Sequence, residues 1–217
     1  THLVRDRKNR TGILKQTKFI EDMARKFEIE QRPNITTPAL VGDRILKAWE
    51  PEPGSADNMI MTEPIKGELG NEYRDRQSLY RGIVGSLLWV ARCTRPDIQW
   101  AVTSLTRHMQ RPGPKMLQRA LHCVQYLVNT KEIGIKFTAK SGNQMYAISD
   151  ASYCDREDMK STYGYVVMFG GPIAWTTKVT IGQAKSSCES EYLAMSAATS
   201  EIVFLQSLLD ELQIHQG

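Results

Sequence analysis

The chain has 217 residues and a net charge of +4, long enough for one large domain or two small ones that each bury a core. Its four cysteines (Cys93, Cys123, Cys154 and Cys188) are dispersed and form no CxxC pair, which excludes a zinc site or a disulfide framework and points to free thiols in a reducing compartment. No apolar run approaches the ~20 residues of a membrane span and no signal peptide is visible, so the expectation is a globular chain with no membrane partner.

Residues 1–40 open with a strand-like stretch and a helix near Thr17 to Phe27, with Phe19, Ile20, Met23 and Phe27 on one face. Many basic residues lie here: Arg5, Arg7, Lys8, Arg10, Lys15, Lys18, Arg25 and Lys26. They suit phosphate backbones, and they suit a solvated face equally well. The chain begins at Thr1, not Met, and reads as a piece of something longer. Residues 41–77 carry Pro51, Pro53, Gly54, Pro64, Gly67 and Gly70 with little periodicity, which predicts a loop-rich connector.

Three helices are predicted next, forming a helical connection segment over 78–133. Ser78 to Arg92 is mixed apolar, with Gly82 and Gly85 allowing close backbone packing. A second helix starts at Pro96, a residue suited to a first turn, and buries Ile98, Ala101, Val102, Leu105 and Met109. The third starts near Pro114 and buries Leu117, Ala120, Leu121, Val124, Leu127 and Val128.

From Gly134 the pattern changes to strands: Gly134 to Thr138, Gln144 to Asp150, and a hairpin of Tyr163 to Phe169 and Pro172 to Lys178 across Gly170-Gly171. A long amphipathic helix follows, opened by Ser186 with Glu189 at capping-box spacing. Its apolar stripe reads Met195, Ala198, Ile202, Leu205, Leu209, Leu212. One step toward the N-terminus that stripe meets Glu191, and a buried carboxylate is costly without a hydrogen bond, a cation or a metal. Glu189 lies about 200° away around the helix, so the two acids do not share a site. A second acid, Asp150, closes the Met145 to Ser149 strand. One carboxylate at a strand end and one on a helix face is how two-metal nucleases hold their ions.

Several stretches, in order, resemble a known family. Tyr80-Arg81-Gly82-Ile83-Val84-Gly85-Ser86-Leu87-Leu88 with Thr94-Arg95-Pro96-Asp97-Ile98 resembles YRxxVGxLL…TRPDI. Gln125 to Thr130 resembles RYLxxT, Ser149-Asp150-Ala151-Ser152 resembles SDAD, and Lys160 to Tyr165 resembles KSTSGY. Ile173-Ala174-Trp175 resembles ISW, and Ser186 to Ala194 resembles SSxEAEYxA. Arg5-Asp6-Arg7, Gln16 to Ile20 and Thr37-Pro38 match more weakly. Together they resemble a copia-type retrotransposon Pol polyprotein, from the end of its reverse transcriptase into its ribonuclease H.

The resemblance implies a mixed α+β and α/β fold: a helical connection layer, then an incomplete ribonuclease H-like fold of a three-stranded antiparallel sheet plus a long helix. It divides the chain into 1–40 (end of the reverse transcriptase), 41–77 (connector), 78–133 (helical connection) and 134–217 (truncated ribonuclease H-like domain). It implies Asp150 and Glu191 as catalytic metal ligands, Mg²⁺ or Mn²⁺ as cofactor, and an RNA–DNA hybrid or other nucleic acid as partner beside the rest of the polyprotein. The implied location is intracellular, in the cytoplasm.

The departures set limits. The paired aspartates of the polymerase appear nowhere, which excludes polymerase activity for this stretch by itself. The family's third ribonuclease H aspartate lies on a strand after the long helix, beyond Gly217. Asp210 is no substitute, being on the same helix roughly 28 Å from Glu191 along the axis. Ser152 replaces a common Asp, and Met116 stands where the family often has His. Asp155, Glu157 and Asp158 read as a solvated acidic loop. The expectation is therefore a fragment whose parent hydrolyses the RNA strand of hybrids but which is itself inactive; the alternative is a degenerate remnant with at most weak nucleic-acid binding. An unpaired edge beside the Asp150 strand predicts self-association.

Overall fold

A computed structural model describes residues 1–29, 34–40, 68–141, 144–155 and 159–214, with backbone alone for 68–74 and 141. Among them are five α-helices and two three-stranded antiparallel sheets, a mixed α/β architecture. The elements run β1 (His2–Asp6), β2 (Thr11–Lys15), α1 (Thr17–Lys26), α2 (Glu68–Cys93), a 3₁₀ turn (Pro96–Ile98) and α3 (Gln99–Thr106). They continue with α4 (Pro114–Asn129), β3 (Ile135–Thr138), β4 (Tyr146–Ser152), β5 (Thr162–Met168), β6 (Pro172–Val179) and α5 (Ser187–Glu211). The chain divides into two compact units, one of residues 1–17, 92–99 and 132–217, the other of 18–91 and 100–131.

The second unit is helical. Ile20 and Met23 of α1, Tyr80, Ile83, Val84 and Leu87 of α2, Ala101, Val102 and Leu105 of α3, and Ala120, Val124 and Leu127 of α4 are buried. The predicted stripes are met in part: Ala101, Val102, Leu105, Ala120, Val124 and Leu127 are buried, Met109, Leu117, Leu121 and Val128 are half-buried, and α4 also buries Met116, Cys123 and Tyr126. The buried Tyr80 hydroxyl is satisfied by the backbone, donating to the Leu105 carbonyl at 2.7 Å, and on the surface Arg81 Nε donates to the Met109 carbonyl at 2.9 Å. Helix α2 begins at Glu68, so residues 68–77 are helical and not connector; the glycines and prolines that suggested a loop lie mostly in 41–67, outside the described residues. Gly82 faces the Phe27 ring, where a Cβ would sit 3.7 Å away, but Gly85 has nothing within 4 Å and serves no close packing.

The first unit contains both sheets. β1 and β2 form a hairpin, and β2 pairs with β3, so the N-terminal strands belong with residues 135–138. The strand-like start is thus two strands, and the first predicted strand of the C-terminal set, Gly134 to Thr138, belongs to this sheet. In the segment between the two helical stretches, the Arg95 guanidinium is fully buried and pairs through two nitrogens with Asp97. Thr94 Oγ1 donates to Gln16 Oε1 at 2.7 Å. A buried cation is tolerated only with such a fork-like, charge-assisted partner.

The second sheet has the order β4-β5-β6. Its β5–β6 turn passes through Gly170 at φ 70, a left-handed conformation that glycine adopts without strain. Gly171 follows, where a Cβ would meet the Lys136 carbonyl at 2.5 Å. Helix α5 packs across β4 and β5. Tyr165 and Val167 of β5 meet Ala198, flanked by Ala147, Ile173, Ala174, Ala197, Ile202 and Leu205.

The middle of the expected α5 stripe faces the sheet, with Ala198 buried and Ile202 and Leu205 packed on the core, but its ends do not. Ser190 and Ala194 are buried at the N-terminal end, whereas Met195 and Leu212 are 54% and 60% exposed. Small side chains let the first turns of the helix lie close on the sheet. By length and composition α5 is apolar enough to cross a membrane, although no continuous apolar run marks it. Its apolar residues are interleaved with Ser, Thr and Ala.

One end of α5 is fastened by a buried hydroxyl network. Ser161 and Ser190 are fully buried, and their Oγ atoms lie 3.0 Å apart. Ser161 Oγ accepts from the Cys154 N–H at 3.2 Å, and Ser190 Oγ reaches the Ser186 carbonyl at 3.3 Å, so Ser161 is the donor between the two serines. Ser161 N–H donates to Thr180 Oγ1 at 3.1 Å, Thr180 N–H donates to the Ser161 carbonyl at 2.9 Å, and Thr180 Oγ1 donates to the Gly182 carbonyl at 2.7 Å. Replacing Ser161 by Ala removes the acceptor of the half-buried Cys154 N–H and the donor to the buried Ser190 hydroxyl, and the expected loss in chemical denaturation is about 1–3 kcal/mol. No loss would show that the network is not what holds α5.

A titratable group in the helical unit gives a pH dependence. His108 is 6% exposed, and burial, aided by Arg107 and Arg119, holds its pKa below the ordinary 6.5. The unfolded chain then takes up a proton that the folded chain refuses, so stability present above 6.5 is lost as pH falls below that value. Denaturation midpoints should drop between about pH 7.5 and about pH 5, and His108→Gln should flatten that slope.

Candidate functional site

Asp150 lies in β4 opposite Gly164 of β5. Side chains alternate along a strand. Ser149 pairs with the core residue Tyr165, and Ala147 joins the core under α5. Asp150 therefore shares the other face with Tyr146 and Ile148, and like them it is exposed. Among the described residues its carboxylate makes no hydrogen bond or ion pair.

Glu191 follows the buried Ser190 in the second turn of α5 and is half-buried, on the flank of the inward stripe. The structure thus places one acid on the helix and the other on the sheet face turned away from that helix. No group of three His, Cys, Asp or Glu side chains placed to hold a metal ion occurs among the described residues. A divalent ion of the Mg²⁺ type takes several oxygens in near-octahedral geometry. Asp150 and Glu191 alone do not supply that many oxygens, so as the described residues stand they do not fit such an ion or a pair of them.

The neighbouring acids have structural tasks. Glu189 caps α5: its N–H donates to Ser186 Oγ at 3.1 Å, and its carboxylate accepts from the Lys185 N–H, one residue earlier than in a regular capping box. Asp155 accepts from Thr162 Oγ1 at 3.1 Å and is half-buried, so it staples its loop to β5 and is not solvated. Glu157 and Asp158 lie outside the described residues. Asp210 is exposed near the end of α5.

One acid escaped the sequence reading. Glu201, half-buried on α5, accepts from the Tyr165 hydroxyl at 3.0 Å. Burial first, and that hydrogen bond second, push the Tyr165 hydroxyl up to about 12. The signal was present: 190, 194, 197, 201 and 205 step three and four residues along the helix. Glu201 also borders a polar cleft of about 370 Å³ with Arg92, Trp175 and Lys178. All four cysteines are free thiols, as the spacing suggested.

Comparison with known proteins adds what this geometry alone does not. No family model matches the chain, and no solved structure does. The Retrovirus-related Pol polyprotein from transposon RE1 of Arabidopsis thaliana is 33% identical over 207 residues, 94% of this chain and 13% of that protein. The Retrovirus-related Pol polyprotein from transposon TNT 1-94 of Nicotiana tabacum is 30% identical over 216 residues, 99% of this chain and 15% of that protein. The Secreted RxLR effector protein 161 of Plasmopara viticola is 35% identical over 128 residues, 58% of this chain and 90% of that protein. The chain spans only about a seventh of the length of the two polyproteins. With identity sustained over nearly its whole length, the chain belongs to the copia-type retrotransposon Pol polyproteins, as a fragment of one.

Proposed function

We propose that this fragment joins the end of the reverse transcriptase to the first part of the ribonuclease H, and that by itself it does not hydrolyse RNA. The observation that carries the reading is the order of elements and acids: three antiparallel strands and then a long helix, with Asp150 on the first of those strands and Glu191 on the helix. Those acids stand within the Ser149-Asp150-Ala151 and Glu191-Tyr192-Leu193-Ala194 stretches that resemble the ribonuclease H of the family. The parent activity is hydrolysis of the RNA strand of RNA–DNA hybrids, with selection by 2′-hydroxyl contacts and duplex shape and not by base reading. The reading of inactivity rests on the lack, among the described residues, of a third carboxylate beside these two.

A second reading has its own support. The effector relative is matched over 90% of its length, so much of this sequence corresponds to a nearly whole protein there. A non-catalytic role for the fragment, with weak nucleic-acid binding at most, is compatible with that.

Incubating the chain with a labelled RNA–DNA hybrid in Mg²⁺ and then Mn²⁺ should give no cleavage above an Asp150→Asn control. Cleavage that disappears in the control overturns the inactivity. In a longer polyprotein segment that does cleave hybrids, Asp150→Asn and Glu191→Gln should each reduce the rate by roughly a hundredfold or more, beyond the 10–100-fold typical of outer-shell groups. Undiminished rates there would remove both residues from the catalytic assignment.

A further inference from the structure

We propose that the cleft beside β6 binds a nucleoside monophosphate, with Arg92 and Lys178 holding the phosphate and Glu201 reading the base. The cleft follows from how the sheet is covered. α5 lies across β4 and β5, and the space over β6 is closed on its far side by Arg92 and Gln99. All of its lining belongs to the first compact unit. Tyr165 of β5 meets Ala198 of α5, so its face is the helix side of the sheet. Thr176 is the register partner of Tyr165, and Lys178 that of Tyr163. On an alternating strand both therefore share that side, roughly 6.5 Å apart along β6. The enclosed volume, about 370 Å³, lies within the ~300–1,000 Å³ of small-molecule sites.

The polar groups of the cleft divide into two stations. Arg92 and Lys178 are exposed, and among the described residues neither side chain has an ion-pair partner. Cations left unpaired at the mouth of a cleft select an anion, and a guanidinium beside an ammonium suits the oxygens of a phosphate. The half-buried Glu201 pairs with neither of them and accepts instead from the Tyr165 hydroxyl at 3.0 Å. That bond occupies one of roughly four acceptor sites on the carboxylate and fixes its orientation. Burial keeps Tyr165 protonated well above neutral pH, so this donor stays in place. The other lone pairs of Glu201 accept only from N–H or O–H groups.

An anion station and an acceptor station in one cleft exclude simpler ligands. Inorganic phosphate satisfies the cations but leaves most of the volume, and Glu201, unused. A chain of several phosphates brings negative charge against Glu201. A nucleoside monophosphate meets both stations, phosphate at one end and base at the other. The pairing edge of guanine carries two adjacent N–H donors, which match a carboxylate, whereas adenine sets one donor beside an acceptor. Ile173 and Ala174 supply an apolar surface for the ring. The site is therefore fitted to GMP ahead of AMP.

Calorimetric titration of the full chain with GMP should give one site with a dissociation constant below about 1 mM, and AMP should bind at least about tenfold more weakly. Inorganic phosphate and guanosine should each bind more weakly than GMP. Arg92→Ala and Lys178→Ala, both at exposed positions, should each weaken GMP at least about fivefold with the circular dichroism spectrum unchanged. Glu201→Gln keeps an acceptor for Tyr165 but sets a donor against the base, and should bring GMP and AMP to within about twofold of one another. A folded chain that binds no GMP overturns the proposal, as does binding indifferent to Arg92→Ala and Lys178→Ala. Phosphate bound as tightly as GMP overturns nucleotide recognition, and a GMP preference untouched by Glu201→Gln overturns the role of that residue. A single-stranded RNA that binds through the same residues more tightly than GMP makes the cleft a strand site and overturns the small-molecule ligand.

Discussion

In the sheet-and-helix part of the first unit, the elements converge on the hydroxyl of Ser161. It ties the loop before β5, through Cys154, to the start of α5, through Ser190, while its backbone exchanges two hydrogen bonds with Thr180 just past β6. Burying these groups without partners would be costly, and satisfied together they leave few other arrangements available. The position of α5, and with it the position of Glu191 relative to β4, is a consequence. The network also gives a physical meaning to Lys160-Ser161-Thr162 and to the serine of the α5 opening: these are the polar contacts that lock helix to hairpin.

Much of the architecture was legible because local chemistry and tertiary need agreed. Pro96 and Pro114 open helical segments, Gly170-Gly171 turns the β5–β6 hairpin, and Ser186 with Glu189 caps α5. Most of the apolar positions of α3 and about half of those of α4 became core. Legibility failed where packing distance outranked hydrophobicity. At the start of α5 the buried residues are Ser190 and Ala194, so reading the stripe from large apolar side chains promoted Met195 to the core, while Ala198, Ile202 and Leu205 were placed correctly. It failed again at β3, whose partner is β2 more than a hundred residues earlier, a pairing that no local pattern encodes.

The candidate site follows the same division. That an acid lies on the strand and another on the helix was readable from motif and period. Which face the strand acid takes depends on pairing register, and register places Asp150 beside Tyr146 and Ile148 rather than beneath α5. Glu201 was missed because it looked like one of several scattered acids. Its partner is Tyr165, a tyrosine that the hairpin brings across from another element.

The pairing of β2 with β3 also bears on how the chain comes to be folded. Gly12 and Phe137 are register partners, 125 residues apart in sequence. The whole of the helical unit lies within that interval. Closing so long a loop in an open chain is entropically slow, whereas helices built from neighbouring residues form quickly. During synthesis the N-terminal hairpin therefore waits with one side of β2 unmatched until residue 138 has emerged, and the helices condense in the meantime. A pre-folded helical unit shortens the effective loop, so the order of synthesis turns a long-range pairing into the joining of two ends already drawn together.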